Sequence, residues 1–283
     1  MTYPNPDALV STEWLAAHLS APDVRVVDAS WHMPAAGRNA REEYESCHIP
    51  GAVYFDVDEI ADTSVPLPHM LPPPEKFASR VRKLGLGNGH KVVVYDTAGL
   101  GAARVWWMFR VFGHRDVAVL DGGLTKWKQE QRPLEDLPPM PRDRHFLPHF
   151  NATLVRSFEQ VRANVDSKRE QVIDARSAGR FAATAPEPRP TRLVGHMPGA
   201  VNVPFTDLIN EANKTMKSAA ELKARFDAAG VDFSRPLVAS CGSGMTACTL
   251  ALALYLIGYP DTAVYDGSWT EWGDHPDALA VAG

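Results

Sequence analysis

PLVASCGSGMTACTLALALYLIG, residues 236–258, runs from an apolar strand-like segment through a small polar turn into a long apolar helix-like segment. KVVVYDTAGLGAARVWWMFRVFG, residues 91–113, follows the same plan about 145 residues earlier. The correspondence extends without a gap from 92–127 onto 237–272: VVVYD faces LVASC, Phe112-Gly113 faces Ile257-Gly258, AVLDGG faces AVYDGS, and Trp127 faces Trp272. Further out, Val27-Asp28-Ala29 recurs as Ile173-Asp174-Ala175, and His48-Ile49-Pro50-Gly51-Ala52-Val53 recurs as His196-Met197-Pro198-Gly199-Ala200-Val201. A period this long means two copies of a domain rather than a solenoid.

Within each copy, short β-branched runs (VRVVDA, KVVVYD, DVAVLDG; QVIDA, PLVAS, TAVYDG) alternate with helix-like stretches such as STEWLAAHL and SAAELKARFDAAG. Continuous apolar strands separated by helices predict an α/β fold, a mainly parallel sheet flanked by helices, used twice in tandem. The expected layout is a first domain over 1–131, a linker over 132–150 and a second domain over 151–283. The linker, RPLEDLPPMPRDRHFLPHF, is rich in proline and charge, so it reads as semi-rigid where its prolines cluster.

Ligands of open α/β sheets gather beyond the carboxyl ends of strands, and Cys241 stands at such an end. Backbone N–H groups and a helix N-terminus converge there, which favours a thiolate and steadies any anion it carries. Cys241 is therefore the expected nucleophile. Its counterpart in the first copy is Asp96, followed by TAGLGAA. A carboxylate cannot replace a soft sulfur nucleophile, so the first copy is expected to be chemically silent and to lend side chains to a cleft between the copies.

At 283 residues, with 45% hydrophobic and 22% charged, the chain reads as a soluble globular protein with room for two cores. A formal net charge of -5 and the lack of basic residues interleaved with aromatics argue against nucleic acid or an anionic membrane as the main partner. The start, MTYPNPDALV, has no signal-like pattern, and the apolar run 250–257 falls short of the ~20 residues a membrane span needs. Three cysteines, an odd number, suit a reducing, cytoplasmic setting rather than a disulfide framework. No CxxC or His-rich cluster suggests structural zinc, and neither metal nor organic cofactor is expected.

The duplicated pattern, the HIPGA and HMPGA repeats, the VWWMFRVFGH run and the loop CGSGMT together resemble the two-domain rhodanese family of sulfurtransferases, from about Leu9 to about Trp272. That resemblance implies two rhodanese-like domains with an inactive N-terminal copy, in line with the reading of Asp96. The loop is similar to that of the mercaptopyruvate branch of the family. Thiosulfate-type members carry cationic residues just after the cysteine, where this chain has Gly242 and Ser243. Small residues at Gly242 and Gly244 let amides turn inward around the sulfur. Met245 stands where valine is expected, and Thr246 is expected to shape the loop.

The resemblance also matches Arg180 and Arg189, in GRFAATAPEPRP, to substrate-binding arginines. Guanidinium forks suit the carboxylate and carbonyl of a keto acid. Asp58 and His69, in FDVDEIADTSVPLPHMLP, match an acid and a histidine that join the loop serine, here Ser243, in a proton relay. On the residues alone, such a His–Asp pair reads as a surface hydrogen bond. The implied activity takes sulfur from 3-mercaptopyruvate onto Cys241 and passes it to a small thiol, thioredoxin or cyanide. Three rivals stay open: a thiosulfate sulfurtransferase, a non-catalytic persulfide carrier, and a phosphatase, which would need arginine where Ala247 completes CxxxxxR. Cys248 is expected in the core and Cys47 without a catalytic role. His48 and His196 are expected as structural residues of HxPGA turns, and Asp121 and Asp266 as turn formers.

Overall fold

The computed structural model describes residues 2–137 and 139–282. In the first copy, β1 (Leu9–Val10), β2 (Val24–Asp28), β3 (Val53–Tyr54), β4 (Lys91–Tyr95) and β5 (Val117–Leu120) form a parallel sheet in the order β1-β5-β4-β2-β3. The second copy repeats it with β6 (Val155–Arg156), β7 (Gln171–Asp174), β8 (Val201–Asn202), β9 (Leu237–Ser240) and β10 (Ala263–Tyr265), ordered β6-β10-β9-β7-β8. The six longer strands are those the apolar runs predict. The four edge strands are two residues each, too short to leave a pattern in the sequence.

Two helices follow the cysteine-type loops, Ala102–Val111 and Ala247–Leu256, and both are buried along nearly their whole length. A helix buried on nearly every side has no broad face to give to water, so each packs on its own sheet and on the other helix. One continuous hydrophobic cluster therefore contains Val94, Trp106 and Phe109 of the first copy together with Leu250, Leu254 and Val264 of the second. The chain ends of the copies are also exchanged. Asn5 donates its N–H to Leu256 O at 3.3 Å, and Asn151 donates its N–H to Val111 O at 2.7 Å. The segment entering each copy is thus tied to the other copy's interface helix, a reciprocal arrangement like that of an isologous dimer.

Residues of the 132–150 linker lie against the first copy. Phe146 is fully buried, and its carbonyl accepts from Arg82 Nη2 at 2.7 Å. Asn88 N–H donates to His145 O at 3.0 Å. A side chain at Gly87 would put its Cβ 2.7 Å from that carbonyl, so the glycine leaves the strap its place. Residue 138 and the two terminal residues lie outside the described residues. None of the described helices is long and apolar enough to cross a membrane.

Candidate active site

Cys241 follows β9 directly and is 2% exposed. It lines a cavity of about 60 Å³ that takes Trp31 and Leu100 from the first copy and Arg180, Arg189, Ser243 and Thr246 from the second. The segment after β10 scaffolds the loop. Cys241 N–H donates to Ser268 Oγ at 3.1 Å, and Trp269 N–H donates to Cys241 O at 2.9 Å. Thr270 donates to Gly242 O through its N–H at 2.9 Å and its hydroxyl at 2.7 Å.

The amides of Gly244, Thr246 and Ala247 have no hydrogen-bond acceptor among the described residues. Their counterparts in the first copy grip the Asp96 carboxylate: Gly99 N–H at 2.5 Å, Gly101 N–H at 2.8 Å and Ala102 N–H at 2.7 Å. Without a cysteine, the loop closes on its own side chain, and burial pushes the Asp96 carboxyl up despite those donors. With a cysteine, the same donors are left for an anion brought by the sulfur.

Both loop glycines sit at close approaches, Gly242 to the tip of a side chain and Gly244 to backbone. A Cβ at Gly242 would lie 2.8 Å from Arg180 Nη2, and one at Gly244, whose φ is 76°, would lie 2.6 Å from Asp266 O. Met245 is buried in the shared core, and Thr246 precedes the helix without a side-chain cap. Arg180 is held against Glu187 at 2.5 Å, and the other Glu187 oxygen accepts from Arg176 at 2.7 Å. Arg176 is itself buried, paired with Asp174 and stacked 4.2 Å over Trp269. Glu187 escaped the sequence reading. Its signal was the acid inside PEPR, between two arginines.

Arg189 Nη2 lies 3.4 Å from His69 Nε2. A guanidinium only donates, so Nε2 carries the lone pair and Nδ1–H donates to Asp58 Oδ1 at 2.5 Å. Trp31 Nε1–H donates to the other Asp58 oxygen at 2.8 Å, and its ring meets His69 edge-on at 4.8 Å. Burial opposes ionisation of Asp58, but the hydrogen bonds from His69 and Trp31 and the Arg189 charge hold its carboxyl below the ordinary value. The structure thus joins Asp58, His69 and Arg189. Ser243 lines the Cys241 cavity with Arg189, whereas Asp58 and His69 do not line it, and no hydrogen bond joins Ser243 to His69 among the described residues.

Sequence reasoning also missed Arg104, which is fully buried. Its Nη1 donates to Asp266 at 2.5 Å and to Gly244 O at 3.3 Å, and its Nη2 donates to His69 O. The guanidinium lies 4.6 Å over Trp107. One buried cation therefore ties the His69 segment to the cysteine loop across the interface. Its signal was an arginine in the first turn of a mostly apolar helix, since a buried charge demands an acid. Asp266 and Asp121 are corrected accordingly: more than turn formers, each reaches the other copy, with Leu71 N–H donating to Asp266 at 2.6 Å and Met216 N–H to Asp121 at 2.7 Å.

The remaining expectations concern packing. His48 is buried against Tyr44 at 4.2 Å, and His196 stacks on Phe181 at 3.7 Å. Cys248 is buried and donates its S–H to Gly244 O at 3.2 Å; burial pushes its thiol up to about 12.

The family model described as the rhodanese-like domain matches residues 11–130 and again 157–275. The 3-mercaptopyruvate sulfurtransferase of Homo sapiens is 46% identical over 272 residues, 94% of this chain and 91% of that protein. The thiosulfate sulfurtransferase of Rattus norvegicus is 48% identical over 273 residues, with the same coverage of 94% and 91%. Among solved structures, the 3-mercaptopyruvate sulfotransferase SseA of Escherichia coli matches with a TM-score of 0.85 at 39% identity, covering 93% of this chain and 98% of that one. Relatives named for either sulfur donor align about equally well, so the donor has to be argued from the site.

Proposed function

The chain belongs to the rhodanese-like domain family, and on that premise we propose that it is a sulfurtransferase that takes sulfur from 3-mercaptopyruvate onto Cys241 and releases pyruvate. One observation carries the reading: the amides of Gly244, Thr246 and Ala247 have no acceptor among the described residues, whereas their silent-copy counterparts hold a carboxylate. In the reaction, the Cys241 thiolate forms a bond to the donor sulfur and the bond from that sulfur to carbon breaks. The electron pair goes to the pyruvate enolate, which then takes a proton on carbon. Arg180 and Arg189 orient the carboxylate and keto oxygen. His69, oriented by Asp58, and Ser243 handle the proton transfers, a contribution of typically 10²–10⁴-fold. The persulfide rests among the loop amides until an acceptor thiolate, from a small thiol or thioredoxin, or cyanide, attacks the outer sulfur and frees Cys241.

The loop supports a keto acid over a dianionic donor. No cationic side chain follows the cysteine, and Gly242 cedes its space to Arg180, whose charge Glu187 already offsets in part. The thiosulfate reading keeps support from the rat relative. Initial rates with both donors decide between them: faster turnover of 3-mercaptopyruvate is expected, and a clear preference for thiosulfate overturns the donor assignment. A carrier without catalysis would keep loading from a persulfide after substitution of both Arg180 and Arg189, with no change in consumption of mercaptopyruvate. We place the activity in a reducing, cytoplasmic setting, supported by three free cysteines.

A further inference from the structure

A second cavity, of about 50 Å³, borders the silent loop on the opposite side of the interface. It is the counterpart of the space Arg104 fills. The two regions correspond residue by residue: Leu71 with Met216, each donating to the other copy's aspartate; His69 with Lys214, both left-handed with φ of 62° and 59°; Gly244 with Gly99; and Arg104 with Thr249. On the active side the Arg104 guanidinium binds Asp266, Gly244 O and His69 O.

On the silent side Thr249 is too short to do this. Its hydroxyl is buried without a hydrogen-bond partner, and Thr249 lines the cavity. The carbonyls of Gly99 and Lys214 accept no hydrogen bond among the described residues, and Asp121 accepts only from Met216 N–H. The space is open: a Cβ at Gly244 would meet Asp266 O at 2.6 Å and Arg104 Nη1 at 3.1 Å, while one at Gly99 would meet only Ile209 Cδ1 at 3.7 Å. No ion pair engages Asp121 among the described residues; Lys126 is committed to Glu130 at 2.6 Å, and the Asp96 carboxylate is enclosed by its own loop. Burial pushes the Asp121 carboxyl up, against the Met216 hydrogen bond and the Lys126 charge.

We propose that this cavity binds a small planar cation with several N–H donors, a guanidinium or amidinium group, which completes with Asp121, Gly99 O and Lys214 O the arrangement that Arg104 makes on the active side. Leu252 stands where Trp107 supports Arg104, so the floor of this site is aliphatic.

The test is thermal unfolding of the full chain in low concentrations of guanidinium chloride, against equal sodium chloride. The expected result is a saturable rise of the midpoint, on the order of 3 °C at tenfold excess over Kd. Tetramethylammonium, which has no N–H, gives no rise. Asp121→Asn keeps an acceptor for Met216 N–H and removes the response. Thr249→Arg supplies its own guanidinium, raising the midpoint without additive and leaving nothing to saturate. Thr249→Leu fills the space and also abolishes saturation. A monotonic fall identical in the wild type and Asp121→Asn, or an equal rise with tetramethylammonium, overturns the proposal and leaves the cavity to water.

Discussion

Two cysteines seven residues apart differ in chemistry because one ends a strand beside a cavity and the other faces a helix interior. Cys241→Ser is expected to abolish pyruvate release, while Cys248→Ser keeps most of it. Iodoacetamide at mildly alkaline pH should leave Cys248 unlabelled in peptide mapping, since its thiol is pushed up to about 12. Gly242→Ala sets a methyl against Arg180 and should lower kcat/KM for mercaptopyruvate about tenfold, mostly through KM. Asp58 gives a pH signature. Its folded carboxyl lies below the ordinary value, so its contribution to stability is complete above the unfolded pKa of ~4 and is lost as pH falls through the lower folded value. Urea midpoints of wild type and Asp58→Asn should therefore differ at pH 7 and converge in strong acid; the gap is modest because the side chain is 56% exposed. Cys241 was legible from its local frame of strand, turn and helix. Arg104 and Glu187 were not, because what they do depends on partners: Asp266 is 162 residues from Arg104, and no local pattern records that distance.

The cysteine loop and the His69 segment are separate elements that Arg104 and Asp266 hold in one geometry. Removing one partner of a buried ion pair leaves a charge uncompensated, at about 3–5 kcal/mol. Arg104→Met should cost stability on that scale, and Arg104→Met with Asp266→Asn should lose less than the sum of the single changes in denaturant melts. Because Arg104 positions His69 and Gly244, kcat of the folded Arg104→Met enzyme should fall more than KM changes, and Arg104→Lys should not restore it, since an ammonium cannot span three acceptors. A purely structural role predicts an intact kcat in the folded fraction. Strands with long apolar runs were readable, for example KVVVY at β4, whereas Val53–Tyr54 and Val201–Asn202 exist only through pairing with β2 and β7. The docking of the 132–150 strap was hidden in the sequence for a related reason. Its prolines describe the stiffness of an isolated chain, while Phe146 and the carbonyls beside it find their places only against the folded first copy.

The duplication was plain in the sequence, but the way the copies face each other was not: the apolar helices Ala102–Val111 and Ala247–Leu256 could each have been buried within its own copy. Their mutual packing makes one core of two domains. Calorimetry should accordingly show a single cooperative transition, with two transitions expected only after the Arg104–Asp266 tie is broken. The same facing arrangement brings Trp31 of the first copy into the cavity lined by Cys241 of the second, with Asp58 hydrogen-bonded to both Trp31 and His69. Intact-mass measurement after brief mixing with 3-mercaptopyruvate tests the central claim most directly. The account predicts a gain of one sulfur atom that disappears on adding a thiol and never forms in Cys241→Ser; no gain, or a gain that persists in Cys241→Ser, would contradict it.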